Sequence, residues 1–162
     1  MQLTKVDGMK PQGRAWYPSL DELLSPILQV VQRKEDASGT LYEKAKDNYR
    51  KKENIEESYG VVLDIDKSPT DVLPMLVEAL QGYQGYINTT FSHDPRHEKY
   101  CYRAFIKSES TIKPEDYEDG FINLVHSNPI LSELKEKGIL DMSAKDVGRF
   151  FYDFSCPPSR EN

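Results

Sequence analysis

The sequence predicts an α+β fold built around an antiparallel sheet. From residue 60 onward, short runs of β-branched and aromatic residues alternate with segments whose apolar residues recur at helical spacing. These segments follow one another in the order β-α-β-β-α-β, which is the split βαβ order of ferredoxin-like folds. In that arrangement the first and third strands lie side by side at the centre of the sheet. We call the predicted core RRM-like, because RNA-recognition-motif domains share this order.

The elements of this core can be justified one by one. A strand over 60–66 is followed by a helix over 71–81, which Asp71 can cap and in which Pro74 falls in the first turn. The later elements are strands over 85–91 and 99–107 around a polar loop, a helix that opens at Lys113-Pro114, a short helix that opens at Asn128-Pro129 and ends at Gly138, and a short strand over 149–154.

The residues before the core, 1–57, are predicted to form an N-terminal helical extension, and the core covers 58–158. A helix is predicted from about Leu20 to Arg33, because its apolar side chains recur at helical spacing. Residues 34–40 are predicted to form a loop. The polar, basic segment 41–52 is either a further helix or, more simply, a solvated face. Together the 162 residues fit a single domain.

Composition and charge narrow the functional classes. Apolar residues make up 38% of the chain and charged residues 30%, which is typical of a folded protein. The two cysteines, Cys101 and Cys156, are too few for a disulfide framework and indicate free thiols in a reducing compartment. We find no signal peptide and no membrane-spanning apolar run, so we expect a soluble, cytoplasmic protein with no membrane partner. The net charge of −6 argues against a uniform basic coat for nucleic-acid binding.

The stretch from Tyr59 to Thr70, YGVVLDIDKSPT, joins a buried-looking strand to two acids. Side chains alternate along a strand, so Asp64 and Asp66 are predicted to point to the same face. Two carboxylates this close oppose each other's ionisation, and a divalent cation, which prefers oxygen ligands, would offset that repulsion. The alternative is that the strand ends at Leu63 and that both acids lie in a solvated turn.

Further polar residues are predicted to reach the same face of the sheet. They are Asp141, just before the last predicted strand, Arg103 on the third strand, the Ser92-His93 pair, and the cations Lys145 and Arg149. Carboxylates that hold two metal ions, beside cations that hold triphosphate oxygens, are typical of in-line displacement at phosphorus.

Three stretches resemble the archaeo-eukaryotic primase superfamily, and more narrowly the primase-polymerase domains of phage and plasmid replication proteins. They are VVLDID, TTFSHDPRHEKYCYRAFI and ILDMSAKDVGRFFYDFSCPP. The family's first motif, a DxD at a strand end, is matched by Asp64 and Asp66, and its third, a hydrophobic residue before Asp, by Leu140-Asp141. The second motif, a small residue, any residue and His, is matched by Ser92-His93 with one residue fewer. An Arg on the next strand, here Arg103, is typical of similar relatives.

The resemblance implies an RRM-like catalytic core and template-dependent nucleotidyl transfer. The chain would be a DNA primase or primase-polymerase that makes or extends primers on single-stranded DNA, in the replication of a phage or another mobile element. The implied cofactor is Mg²⁺ or Mn²⁺, held by Asp64, Asp66 and Asp141. A replicative helicase is a further implied partner. The residues implied to bind the incoming NTP or dNTP are Arg103, His93, Ser92, Arg149 and Lys145.

Two other functions fit parts of the pattern. An apolar strand that ends in DxD also occurs in phosphatases of the haloacid-dehalogenase type, where the first Asp is the nucleophile, but the β-α-β-β order is wrong for their parallel sheet. The other alternative is a non-catalytic RRM-like module for nucleic-acid binding or replication initiation. Against it, the RRM signature is absent, and three acids on the sheet face would repel phosphates.

Overall fold

The computed structural model describes residues 4–6, 28–37, 39–46, 51–149, 151–152 and 154–160. The strands within these ranges are β1 (Thr4–Val6), β2 (Gln29–Val30), β3 (Gly39–Leu41), β4 (Glu43–Ala45), β5 (Ile55–Ser68), β6 (Gly85–Thr89), β7 (Tyr100–Ile112), β8 (Phe151–Tyr152) and β9 (Ser155–Cys156). The α-helices are α1 (Leu73–Ala79), α2 (Pro114–Ser127) and α3 (Pro129–Glu136). The predicted α+β class is confirmed.

A four-stranded antiparallel sheet with the order β4-β5-β7-β6 organises the fold. Its two central strands are the longest, and their β-branched and aromatic side chains suit a pleated, buried surface. The prediction that the DxD strand lies beside the strand around 99–107 is confirmed, since Asp64 is paired directly with Arg103. Two smaller sheets, β1-β3-β8 and β2-β9, complete the strand pairing of the described residues.

The helices begin at residues whose side chains stabilise a first helical turn. Pro74 occupies the first turn of α1, as predicted, but the N-cap residue is Val72 and not Asp71. The Asp71 carboxylate, one residue earlier, accepts a hydrogen bond of 2.9 Å from the Leu73 N–H. The Asn128 side chain caps α3 by accepting from the N–H groups of Ile130 and Leu131. The helices bury apolar side chains in the main core, namely Leu76, Phe121, Val125, Leu131 and Leu134.

The two faces of the sheet have different roles. Alternation places Leu63 and Ile65 on the opposite face from Asp64, and both are fully buried in the main core with the helices. The face that carries Asp64 and Arg103 is called the acid face below. Part of it is covered by aromatic rings: Tyr42 stacks on Phe105 with ring centroids 4.7 Å apart, and Phe151 meets Tyr42 edge-on at 6.0 Å.

A short segment from Ile139 to Asp141 runs along the C-terminal half of β5. Leu140 forms an isolated antiparallel bridge with Ile65. The Asp141 N–H donates to the Asp64 carbonyl oxygen at 2.8 Å, and the Asp66 N–H donates to the Ile139 carbonyl oxygen at 3.3 Å. These hydrogen bonds place Asp141 beside the end of β5, where Asp64 and Asp66 lie.

Three predictions about individual elements are wrong. Of the strand expected over 149–154, the described residues form only β8, which pairs with β3 in a separate sheet where Phe151 is buried against Tyr42. The helix expected up to Arg33 is replaced at its end by β2, which pairs in parallel with β9; residues 20–27 lie outside the described ranges. The segment 41–52 includes β4, which covers the edge of β5 that would otherwise lack a partner.

Within the ranges that the structure describes, no helix is both long enough and apolar enough to cross a membrane.

The close approach of β5 and β7 at Gly60 predicts a large effect of a single methyl group. A Cβ at Gly60 would lie 2.1 Å from the Ile106 carbonyl oxygen and 2.8 Å from the Phe105 ring, so Gly60→Ala should lower the free energy of unfolding by about 3 kcal/mol. At Gly120 in α2 a Cβ meets nothing within 4 Å, and Gly120→Ala should raise stability by about 0.5–1 kcal/mol. Urea unfolding followed by circular dichroism measures both. Equal stabilities of the two variants would contradict this packing of β5 on β7.

Candidate active site

Asp64 and Asp66 lie on one face at the C-terminal end of β5. Asp64 contacts Arg103, and the Asp66 carboxylate lies 3.9 Å from the Cys101 thiol, two residues before Arg103 on β7. Because residues two apart on a strand share a face, both aspartates belong to the acid face. The prediction of a shared face is confirmed, and the alternative of a strand that ends at Leu63 is wrong, because β5 continues to Ser68.

Asp64 and Arg103 form a buried ion pair across the two central strands. The guanidinium Nη2 donates to Oδ1 at 3.0 Å and to Oδ2 at 3.2 Å, and Nε donates to Oδ1 at 3.1 Å. The Arg103 side chain is 7% exposed and that of Asp64 17%. Arg103 Nη1 also donates to the Tyr152 carbonyl oxygen. The guanidinium that was predicted to bind phosphate is therefore bonded, in this structure, to a predicted metal ligand.

Asp141 forms a second, partly exposed ion pair with Arg149. Its Oδ2 accepts a 2.9 Å bond from Nη2 of Arg149, and its Oδ1 accepts from the Ser143 N–H at 2.9 Å and from the Ser143 hydroxyl at 2.6 Å. Burial alone would raise the pKa of Asp141, but the Ser143 hydrogen bonds and the Arg149 charge outweigh it, and the pKa lies below the usual value. Asp141 is therefore held as the carboxylate.

The Phe151 ring joins the two ion pairs. The guanidinium carbon of Arg103 lies 4.8 Å from the ring centroid, and that of Arg149 lies 5.9 Å from it. Both cations therefore contact one aromatic side chain. The acid face thus carries two guanidinium–carboxylate pairs next to each other, one on β5 and β7 and one on the chain that follows Leu140.

Asp66 differs from the other two acids because it is exposed. The backbone turns sharply after it, since Lys67 has a positive φ of 56°, and the Lys67 N–H donates to the Cys101 sulfur at 3.3 Å. Burial raises the pKa of the Cys101 thiol. A neutral thiol beside Asp66 leaves that carboxylate open to a ligand from solvent.

The Ser92-His93 pair lies in the loop between β6 and β7. The imidazole of His93 packs against Tyr102, with ring centroids 4.9 Å apart, and its Nδ1 accepts from the Cys101 N–H at 3.2 Å. Tyr102 alternates with Arg103 and bonds Asp71 at the start of α1, so His93 lies beside the face opposite the acid face. The expectation that His93 shares a face with the acids is wrong, because its ring fills the space beside Tyr102. Ser92 is partly buried in the same loop.

Lys145 lies in the 3₁₀ turn that follows Asp141, and its ammonium group pairs with the Glu118 carboxylate of α2. The lysine side chain is 36% exposed and the glutamate 50%. Such a surface pair is worth about 0–1 kcal/mol, so Lys145 is only weakly held in this position.

The three aspartates have the right chemistry for Mg²⁺ or Mn²⁺, because both cations prefer oxygen ligands. In the described part of the chain, however, no three His, Cys, Asp or Glu side chains are grouped so that they could hold a metal ion. Asp64 and Asp141 are each bonded to an arginine instead. Among the described residues, two of the three predicted metal ligands are therefore engaged by arginine side chains, and only Asp66 is not.

Several contacts of the site were not predicted. The Ser143 bonds to Asp141 have a sequence signal, because an Asp two residues before a Ser commonly accepts from backbone and hydroxyl groups in a local turn. The Tyr152 carbonyl and the Phe151 ring have no comparable signal, because they reach Arg103 only through the pairing of β8 with β3.

We compared the chain with protein-family models, with curated proteins and with solved structures, and none of the three comparisons found a match. A proposal for its function therefore depends on the residues and the geometry of the acid face.

The surroundings of His93 predict a pH dependence of stability. Burial lowers the pKa of His93 below 6.5, although the Cys101 contact and the Asp71 charge act in the other direction. The unfolded chain therefore binds the proton more readily, and stability should be lost as the pH falls from 6.5 through the lower pKa of the folded state. Unfolding at intervals between about pH 7 and pH 5 should show this loss in the wild type and a smaller loss in His93→Gln.

A matched control is His126→Gln, because His126 is exposed on α2. This variant should keep the slope of the wild type. Equal slopes in all three proteins would show that His93 is not the group responsible.

Proposed function

We propose that the chain is a divalent-metal-dependent nucleotidyltransferase that acts on single-stranded DNA, as a DNA primase or primase-polymerase. The observation that carries the proposal is that Asp64 and Asp66 share one face at the end of β5 and that the backbone of Asp141 is joined to that of Asp64 by a 2.8 Å hydrogen bond. Two arginines bonded to two of these acids add the cations that triphosphate binding needs. Carboxylates and arginines on one face suit phosphoryl chemistry better than simple nucleic-acid binding.

The order of the chain around β5 supports an RRM-like core. The sheet order β5-β7-β6 corresponds to the first, third and second strands of a split βαβ sheet, and Leu140 forms an isolated bridge with Ile65 at the edge of β5 where the fourth strand of that topology would lie. The helices α1, α2 and α3 lie between these strands along the chain, as that topology requires. This arrangement also disfavours the phosphatase alternative, because β5 has antiparallel neighbours and haloacid-dehalogenase enzymes have a parallel sheet.

In the proposed reaction the carboxylates of Asp64, Asp66 and Asp141 would hold Mg²⁺ or Mn²⁺. That positive charge would favour ionisation of the attacking 3′-hydroxyl and departure of pyrophosphate. Asp66 is the exposed member of the three and is open to a cation in the structure as it stands. Asp64 and Asp141 become ligands when Arg103 and Arg149 turn away from them.

Arg103 and Arg149 then bind the triphosphate. A guanidinium bonds phosphate oxygens with the same two-pronged geometry that it uses for a carboxylate, so the triphosphate can replace Asp64 and Asp141 as the partner of the two arginines. Each arginine exchanges one anion for another and is never left without a partner. For Arg103, whose side chain is 7% exposed, the exchange avoids the large penalty of leaving a charge buried and unpaired.

Lys145, Ser92 and His93 are the other proposed nucleotide contacts, and all three have other partners or packing in the structure. Lys145 can leave its surface pair with Glu118 to contact a nucleotide at a small cost in free energy, because that pair is weak. Ser92 and His93 can contribute to nucleotide binding only if their loop moves. Arg160 holds this loop in place by donating hydrogen bonds to the carbonyl oxygens of Phe91 and His93. A replicative helicase, in a phage or plasmid context, remains part of the proposal as a partner.

The proposal predicts primer synthesis that depends on Asp66. The protein should join nucleotides on single-stranded DNA in the presence of Mn²⁺ or Mg²⁺, with labelled ATP and dATP tested in separate reactions and products resolved on a gel. Asp66→Asn removes an exposed carboxylate without breaking an ion pair, so it should leave the unfolding midpoint unchanged. Product formation should fall by more than roughly 100-fold, because even residues that only support metal ligands cost 10–100-fold when mutated.

Asp119→Asn is the matched control, because Asp119 is an exposed acid on α2 and lies in another part of the fold. It should retain full activity. The proposal fails if the wild type makes no product even on an annealed primer, or if Asp66→Asn is as active as Asp119→Asn.

A further inference from the structure

Glu43 on β4 is a buried carboxylate that was not among the predicted site residues. It is paired in register with Ser58 of β5 and is 4% exposed. Both of its carboxylate oxygens lie within hydrogen-bond distance of the Gly148 N–H, Oε1 at 3.0 Å and Oε2 at 2.8 Å. A carboxylate removed from water must receive such bonds to remain charged, so this contact is strong compared with a neutral hydrogen bond.

The turn that contains Gly148 is fixed against β4 and the start of β5. Gly148 has a positive φ of 79°, and a Cβ there would lie 3.4 Å from the Lys52 Cα and 3.5 Å from Ile55 Cγ1. Val147, just before it, is buried in a small cluster with Ala45, Ile55 and Tyr117. The backbone at this point is therefore held by apolar packing on one side and by the Glu43 carboxylate on the other.

Arg149 follows this anchored turn directly. Its guanidinium bonds Oδ2 of Asp141 at 2.9 Å and lies over the Phe151 ring. The position of the Arg149 backbone at the end of this turn determines which part of the acid face its side chain can reach. Any shift of Gly148 would move Arg149 relative to the acid face.

We infer that Glu43 is a positioning residue, which sets the position of Arg149 on the acid face by binding the Gly148 N–H. The inference rests on the proposed function, in which Arg149 binds the triphosphate. It assigns a role in nucleotide binding to β4, which precedes the predicted core. Burial and the nearby Glu43 carboxylate raise the pKa of Tyr117, which packs in the same small cluster as Val147.

A double-mutant cycle separates this role from a general contribution to the fold. The dissociation constant of dATP, with Mn²⁺ present, is measured by calorimetry for the wild type, Glu43→Ala, Arg149→Ala and the double variant. Glu43→Gln tests rescue, because an amide oxygen still accepts from the Gly148 N–H. Glu56→Ala is the matched control, because Glu56 is an exposed carboxylate on β5 that pairs with Lys44 of β4 at 2.8 Å.

Glu43→Ala should weaken dATP binding by about 10-fold, which corresponds to the loss of one hydrogen bond to a charged group. In the Arg149→Ala background the same change should have less than about a 2-fold effect, because the residue through which Glu43 acts is gone. Glu43→Gln should bind dATP within about 3-fold of the wild type, and Glu56→Ala should be indistinguishable from it.

The inference is overturned if Glu43→Ala has the same effect in both backgrounds, if it has no effect in the wild type, or if Glu43→Gln gives no rescue. If Glu43→Ala does not fold, Glu43→Asp takes its place in the cycle, because it keeps the charge and withdraws the carboxylate from Gly148 by one methylene. Hydrogen exchange of the Gly148 amide is measured in parallel without nucleotide and should be faster in Glu43→Ala than in Glu56→Ala.

This second readout separates the two possible failures. If the wild type does not bind dATP, the proposed function fails, and the role of Glu43 in nucleotide binding fails with it. Unchanged hydrogen exchange of the Gly148 amide in Glu43→Ala would instead show that Glu43 does not hold the Gly148 turn in place, whether or not the protein binds dATP.

Discussion

The ion pair between Asp64 and Arg103 is the interaction on which the rest of the structure depends. It lies where the two longest strands meet and is largely withdrawn from solvent. Removal of one member of a buried ion pair costs about 3–5 kcal/mol, because the remaining charge loses its counter-ion in a place that water does not reach. A slip of β7 by one residue would turn Arg103 to the helix-covered face, so the pair also fixes the register of the sheet. Fold stability and site geometry therefore depend on the same two side chains.

The pair has a consequence for ligand binding. Asp64 and Asp141 are both neutralised by arginines that contact one phenylalanine ring. Two of the three acids on this face are therefore paired with arginines, which is favourable for stability and unfavourable for metal binding. A ligand that carries both cations and phosphates satisfies the carboxylates and the arginines at the same time. In the proposed function, metal ions and nucleotide therefore support each other's binding, and neither alone gains the full interaction.

Local sequence patterns predicted the two central strands and the residues that these strands bring to one face. The features that were not predicted depend on packing between residues that are far apart in the sequence. The positions of Asp64, Asp66 and Arg103 on one face follow from alternation along two strands, which is a local property. The strand β4 was not predicted, because its burial comes from the uncovered edge of β5 and not from its own polar sequence. The bond from Gly148 to Glu43 spans 105 residues and has no sequence signal, whereas the Asp141–Ser143 turn does have one.

The central claim is that arginines mask carboxylates that otherwise bind a divalent cation, and Mn²⁺ binding without nucleotide tests it most directly. Electron paramagnetic resonance would measure free Mn²⁺ with the wild type, Arg149→Met and Lys145→Met, the last as a control that removes a positive charge from the partly exposed surface pair with Glu118. We expect Arg149→Met to bind Mn²⁺ about 10-fold more tightly than the wild type and Lys145→Met to bind it nearly as the wild type does. Adding Asp66→Asn to Arg149→Met should remove the gain. Equal affinities in all variants, or equal gains from both substitutions of a cation, would contradict the claim.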